Sequence, residues 1–343
     1  MENARLKGLD ALRALCALFI LWGHIAQKDF CQWNLFSIPL PICCAYVFFT
    51  VSGFLAGYRM DSVRSRSVGS YLKWKSRRIL PAYYLYILIS VVVFAALSRL
   101  DEVLNDRLFY YLFLFPSIPF CTQDGILPLV HLWFIGTIAL FYLSIPFFAR
   151  LRKEKAPAYA LFIAVVWFVL KMAVRFILGK DTFAFRFLGI TCFDILYLGV
   201  WAGMLERKGC RLFQRIKESR LIGIFAWVLF LLSGVYGVYV PAPVRTEFMA
   251  LVALAIILTQ QTSRPIPCLE NKVFHWLGNI SYEIYVVQII VIILLSRGCM
   301  ALQLTLPDIV IYLVAALVVT GCAWAFHAAL HVFDERHSSK TPA

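Results

Sequence analysis

Charge is scarce in this chain, and negative charge scarcest of all. Only 15% of its 343 residues are charged, with 19 Asp plus Glu against 33 Lys plus Arg. With 62% hydrophobic residues and a mean hydropathy of +0.78, the composition excludes a soluble domain of this length. It predicts an all-α polytopic membrane bundle. The ten cysteines are scattered and none forms a C-x-x-C pair, so neither a metal site nor redox chemistry is expected. No polar linker, appended soluble domain or clear internal repeat stands out, which counts against an inverted-repeat transporter. The first apolar segment is followed by no A-x-A-like site and carries Asp10, Arg13 and His24. It therefore does not read as a cleaved signal peptide.

What is present is a series of long apolar runs. They predict about ten spans, near 9–27, 43–59, 79–98, 129–149, 158–178, 188–205, 221–240, 245–260, 277–296 and 309–332. The stretch 108–128 is apolar but interrupted by Pro116, Pro119, Gly125 and Pro128. It reads as a re-entrant or interfacial segment, because non-helical backbone at membrane depth needs protein or a cavity around it. Residues 1–337 form one membrane domain in this reading, and 338–343 a short polar tail.

A net charge of +14 invites a nucleic-acid reading, but the cations sit in short runs between apolar segments. The loops 59–78, 150–157 and 206–220 hold most of them. Under the positive-inside rule these loops, and with ten spans both termini, face the cytoplasm. Cys31, Cys121 and Cys299 fall on outward-facing positions, where a disulfide among them stays open.

The first span carries the most unusual pattern. Asp10, Arg13 and His24 lie three and then eleven residues apart, which at about 100° per residue places them on one helix face. At about 1.5 Å per residue, Arg13 and His24 are roughly 16 Å apart along the axis. Ionisable groups inside a membrane helix are costly and mark functional sites. A charge pair at one end and an imidazole at the other suit the anchoring of an anionic cofactor and proton chemistry. The alternative for His24 is a histidine bonded to a neighbouring helix.

Four further stretches accompany it: Val47-Phe48-Phe49-Thr50-Val51-Ser52-Gly53-Phe54-Leu55; Arg77-Arg78-Ile79-Leu80-Pro81-Ala82-Tyr83-Tyr84; His131-Leu132-Trp133-Phe134; and Leu277-Gly278-Asn279-Ile280-Ser281-Tyr282-Glu283-Ile284-Tyr285. Arg77 and Arg78 read as the start of a helix just before Pro81. There guanidinium forks and free backbone donors suit a diphosphate, or else the pair is a topology anchor. Lys73 and Lys75 read as anchors only. Ser52 and Gly53, small residues in an apolar helix, suit a close helix contact. Trp133 reads as part of the interfacial aromatic belt, and His131 adds an imidazole beside it. Tyr282 and Glu283 enter a helix, with Glu283 pairing with an arginine or serving as a helix-start acid.

Together with the Asp10–Arg13–His24 segment, these stretches resemble the acyltransferase-3 family of integral membrane O-acyltransferases, the polysaccharide and lipopolysaccharide O-acetylase type. The resemblance covers nearly the whole chain. It implies acyl-coenzyme A, acetyl-coenzyme A above all, as donor. The acceptor it implies is a hydroxyl of a surface glycan or its lipid-linked precursor, such as O-antigen, capsule or exopolysaccharide, and the location a bacterial inner membrane. It implies catalytic roles for His24, Arg13 and Asp10, with His24 as general base or transient acyl carrier. Arg77, Arg78, Ser52 and Gly53 would then bind the cofactor, and His131, Trp133, Tyr282 and Glu283 the substrate. The chain departs from many relatives in two places. Ile138, Ala139 and Leu140 stand where an acidic residue follows the His-x-Trp stretch, and Gln288 stands in place of a late histidine. A transporter or flippase of lipid-linked sugars is the rival reading, distinguished by the lack of coenzyme A affinity.

Overall fold

A computed structural model describes residues 6, 8–26, 40–236, 242–262, 266 and 269–338. Cys31 and the tail beyond Ser338 lie outside these residues. Among the described residues there is no β-strand, and ten helices of 15 or more residues carry the bundle. They are α1 (Leu9–Ile25), α2 (Leu40–Tyr58), α3 (Val68–Ala96), α4 (Trp133–Phe148), α5 (Ala156–Leu178), α6 (Phe193–Arg207), α7 (Arg220–Tyr236), α8 (Ala242–Gln260), α9 (Ser281–Ala301) and α10 (Asp308–Ser338). By length and composition, seven described spans are apolar enough to cross a membrane, with Phe183–Arg207 counted as one. α1, at 17 residues, is too short for that measure, yet it packs in the centre of the bundle against α2 and α9. The protein is an all-α polytopic membrane bundle. Cys121 and Cys299 carry free thiols.

Two boundaries differ from expectation in ways that bear on the site. α3 begins at Val68, not near residue 79, with Ser67 capping it through a 3.2 Å hydrogen bond from the Ser70 amide. Pro81 is internal to the helix. Arg77 and Arg78 therefore lie well inside a continuous helix, where backbone amides are already committed, and no helix N-terminus is available there for an anion. The other difference is the span expected at 188–205. It breaks at Cys192, which adopts a left-handed conformation (φ 48°) between Phe183–Thr191 and α6.

The proline-broken stretch runs alongside α3 with little regular structure, and its carbonyls are met by tyrosines. The hydroxyls of Tyr83 and Tyr84 donate to the Tyr111 and Leu112 oxygens, both at 2.8 Å, and that of Tyr86 to the Pro128 oxygen at 2.6 Å. Tyr111 in turn donates to the Cys121 oxygen at 3.3 Å. An unpaired buried carbonyl is costly. The Tyr-Tyr of the α3 motif thus supplies what the missing helix would have supplied internally.

α2 and α6 cross at glycines. A Cβ on Gly53 would lie 2.0 Å from the Leu196 carbonyl oxygen, and one on Gly57 2.0 Å from that of Val200. From the other side, a Cβ on Gly203 would meet the Phe54 oxygen at 2.1 Å. Backbone cannot retreat as a side-chain tip can. Gly53→Ala is therefore expected to destabilise the fold by about 1–3 kcal/mol, the usual cost of overpacking, and Gly53→Val by more. Thermal unfolding in detergent checks this, and an unchanged Tm for Gly53→Val would show that the crossing is loose.

The basic loops meet at one end of the bundle. Lys153 pairs with Asp61 at 2.9 Å, Arg64 donates to the Leu151 oxygen at 3.1 Å, and Arg207 stacks over Tyr58 at 5.6 Å. The hydrogen bond from Lys153 holds the Asp61 carboxyl below its ordinary range, with Arg207 and Arg64 adding to the effect.

Candidate functional site

At that basic end, a cavity opens between α1, α2, α3, α4 and α9. It holds about 1260 Å³ of empty space, open mouth included. Arg13, Arg59, Lys75 and Arg78 line it, with no carboxylate among the lining residues. Arg59, Trp74 and Arg78 are also solvent-exposed, which places the mouth beside them. Lys75 stands in an aromatic cage, its Nζ 4.2 Å from the centre of the Tyr142 ring and 4.5 Å from that of Trp74. Arg13 lies within electrostatic reach of Arg78, Asp10 and Glu283. Further in, the walls become apolar, with Phe48, Val51, Leu55, Ile79, Phe134 and Ile135. Ser52 and Tyr282 also face the cavity, and the Tyr282 hydroxyl donates to the Ile79 oxygen at 3.1 Å.

Tyr285 is the link to the histidines. It lines the cavity, its hydroxyl donates to the His131 backbone oxygen, and the two rings are 5.4 Å apart. The His131 ring lies 6.0 Å from that of His24, edge to face. His24 also interacts with the Gln288 side chain, whose amide donates to the Tyr285 oxygen at 3.0 Å. A cation-lined mouth, an apolar interior and a histidine pair therefore follow one another along the bundle.

The sequence profile of the acyltransferase domain, acyltransferase-3, matches residues 6–328. The chain belongs to the acyltransferase-3 family. No curated protein and no solved structure matches it. As a member of this family it is a membrane acyltransferase.

Within this acyltransferase the predicted site residues separate into groups. Arg13, Ser52, Arg78 and Tyr282 share the cavity wall, with His24 and His131 paired behind Tyr285. Arg77 is exposed and does not line the cavity, because the next residue of the helix, Arg78, takes the inward position. Lys75, three residues before Arg78 and so on the same face, lines the cavity where an anchor was expected. Gly53 makes the helix crossing described above and does not line the cavity.

Asp10 turns away from the cavity. Its carboxylate lies 3.4 Å from His275 Nδ1, and His275 Nε2 lies 3.6 Å from Glu270. A Cβ on Gly278 would strike Asp10 at 2.5 Å, so the Leu-Gly-Asn motif gives Asp10 its room. Trp133 packs against Phe49, ring centres 5.9 Å apart. Glu283 pairs with His327 of α10 at 2.8 Å and also lies within electrostatic reach of Arg13.

Three charged residues that meet inside the bundle escaped the sequence reading. Lys171 of α5 holds Asp194 of α6 and Glu247 of α8, each at 2.5 Å, with Lys171 and Asp194 only 4% and 3% exposed. The available signal was a charged residue inside each of three predicted spans, Lys171, Asp194 and Glu247.

Proposed function

We propose that this acyltransferase moves an acyl group, acetyl as the leading case, from acyl-coenzyme A to a hydroxyl of a surface glycan or its lipid-linked precursor. The observation that carries the reading is the cavity: four cations and no carboxylate line it, and its apolar interior leads toward two histidines. Four cations with no carboxylate in the wall of a low-dielectric cleft favour an anion. Acyl-coenzyme A has an anionic nucleotide head and a long, weakly polar arm ending in the thioester. Arg59, Lys75 and Arg78 would hold the head and Arg13 would meet charge further in. Ser52 and Tyr282 flank the arm, and His24 performs proton chemistry or carries the acyl group at the reacting end.

The three basic loops sit together, and the positive-inside rule assigns that end to the cytoplasm. The donor is then taken from the cytoplasm of a bacterium, and the histidines lie toward the opposite side. The glycan acceptor and the inner-membrane location rest on the family resemblance.

Mass spectrometry of surface glycans from cells grown on isotopic acetate, with and without this chain, tests the reading. One class of glycan should lose acetyl groups when the chain is absent. Identical acetylation in both strains would overturn it.

A further inference from the structure

His131 has a proton whose position the geometry fixes. Its Nε2 lies 3.0 Å from the Val286 carbonyl oxygen. A carbonyl oxygen only accepts, so Nε2 carries the hydrogen. In the neutral ring, Nδ1 is then a bare lone pair. The residue is 2% exposed, and Nδ1 has no hydrogen-bond partner.

A buried acceptor left unmade costs stability, and nothing in bracing α9 requires it. A brace to Val286 uses one nitrogen, and a glutamine amide would serve that purpose equally. The ring is nevertheless held firmly. Tyr86 stands edge-on at 5.4 Å, Tyr285 lies at 5.4 Å, and the Tyr285 hydroxyl holds the His131 backbone oxygen. A fixed tautomer with a free, oriented basic nitrogen is what a general base needs. The position fits as well, since His131 touches both the cavity-lining Tyr285 and the His24 ring.

We propose that His131 is the base that takes the proton from the acceptor hydroxyl, and that His24 is its acid partner. The inference rests on the acyl-coenzyme A reading above. As the hydroxyl oxygen bonds to the acyl carbon, its proton passes to His131 Nδ1. His131 hands a proton across the 6.0 Å pair to the unprotonated nitrogen of the His24 ring, directly or through water. The carbon–sulfur bond breaks, and the departing sulfur takes the hydrogen of the other His24 nitrogen. One ester forms, one thioester is lost, nothing is oxidised, and both rings end neutral.

The pairing also gives the two histidines unequal surroundings. Val286 sets the His131 tautomer, while Gln288 is the side-chain partner of His24. An acid and a base at neutral pH need such different settings.

His131→Gln separates a base from a brace. Gln places an amide near the Nε2 position and can still donate to Val286, but it has no titratable nitrogen. Membrane vesicles carrying wild type or variant are given radiolabelled acetyl-coenzyme A, and label in the glycan fraction is counted. Donor affinity is titrated on the purified proteins. The variant is expected to bind acetyl-coenzyme A as wild type does and to transfer it about 100- to 10,000-fold more slowly, the usual worth of a general base. Transfer near the wild-type rate would reduce His131 to a brace and overturn the proposal.

A second measurement needs no variant: nitrogen NMR of wild type labelled with 15N-histidine. His131 is expected as the Nε2–H tautomer with an unprotonated Nδ1, and a proton on Nδ1 would overturn the assignment even if His131→Gln fails to fold. Wild-type vesicles that incorporate no label at all would instead count against the donor reading, while the NMR result would still judge His131.

Discussion

Replacing His24 by alanine is expected to abolish acyl transfer in a protein that still inserts and still binds its donor. The two halves of that expectation come from different places. His24 is absent from the wall of the cation-lined cavity, where Arg13, Arg59, Lys75 and Arg78 stand. Removing its ring leaves those contacts untouched. In the proposed mechanism the ring supplies proton chemistry beside His131, 6.0 Å away. Loss of a positioned acid or base typically slows a reaction about 100- to 10,000-fold. The residue also interacts with Gln288, so His24→Gln is a useful companion: it keeps a polar side chain there but cannot titrate, and it should be as inactive as the alanine variant. Acetyl transfer into the glycan fraction, set beside donor titration, gives both readings. A well-expressed His24→Ala protein with normal transfer would remove His24 from the chemistry. One that transfers slowly only because it no longer binds acetyl-coenzyme A would move His24 from the reacting end to the donor site.

The fold class was legible because a scarcity of charge over 343 residues leaves few alternatives. The spacing of Arg13 and His24 was legible for a related reason: helical periodicity alone places them on one face. What one helix faces in another is not encoded in either helix by itself. The attraction between Asp10 and Arg13 was legible because i,i+3 residues are neighbours, but the contact of Asp10 with His275 was not. The short Lys272–Asn279 helix brings His275 to it, and that depends on a fold of residues far apart in sequence. Glu283 and His327 are a similar case, joined across 44 residues.

The start of α3 was misjudged because proline usually marks a helix start or stop. Here the Ser67 cap lies fourteen residues upstream of Pro81. That single shift moved Lys75 onto the cavity face and Arg77 off it. Gly53 was legible as a small-residue contact, but Ser52 beside it faces the cavity, and one residue of rotation separates packing from lining. His131 was legible as an imidazole at an interesting place. Its tautomer was not, because that depends on the carbonyl of Val286, 155 residues later.

Removing the charges of Lys75 and Arg78 together is expected to weaken donor binding by roughly two orders of magnitude or more, while Arg77→Gln leaves it unchanged. The three residues fall within four positions of one helix and carry the same formal charge, so a general effect of helix-end charge on insertion would treat them alike. The cavity does not. Lys75 and Arg78 line it and Arg77 does not. Each charge-assisted hydrogen bond to a phosphate is worth about 1.5–3 kcal/mol, and every 1.4 kcal/mol is tenfold in affinity, so each contact contributes about 10- to 150-fold. Arg78 is solvent-exposed at the mouth, which makes its share sensitive to ionic strength, because salt screens exposed charges within about 10 Å at 0.1 M. Lys75, half-buried between Tyr142 and Trp74, is screened less, so more of its share should persist in high salt. Arg78→Lys should restore only part of the affinity, since an ammonium lacks the bidentate fork of a guanidinium. Titrating acetyl-coenzyme A against wild type, Lys75→Gln, Arg78→Gln, the double variant and Arg77→Gln at two salt concentrations separates these contributions. An undiminished affinity in the double variant, or an equal loss in Arg77→Gln, would place the donor somewhere other than this cavity.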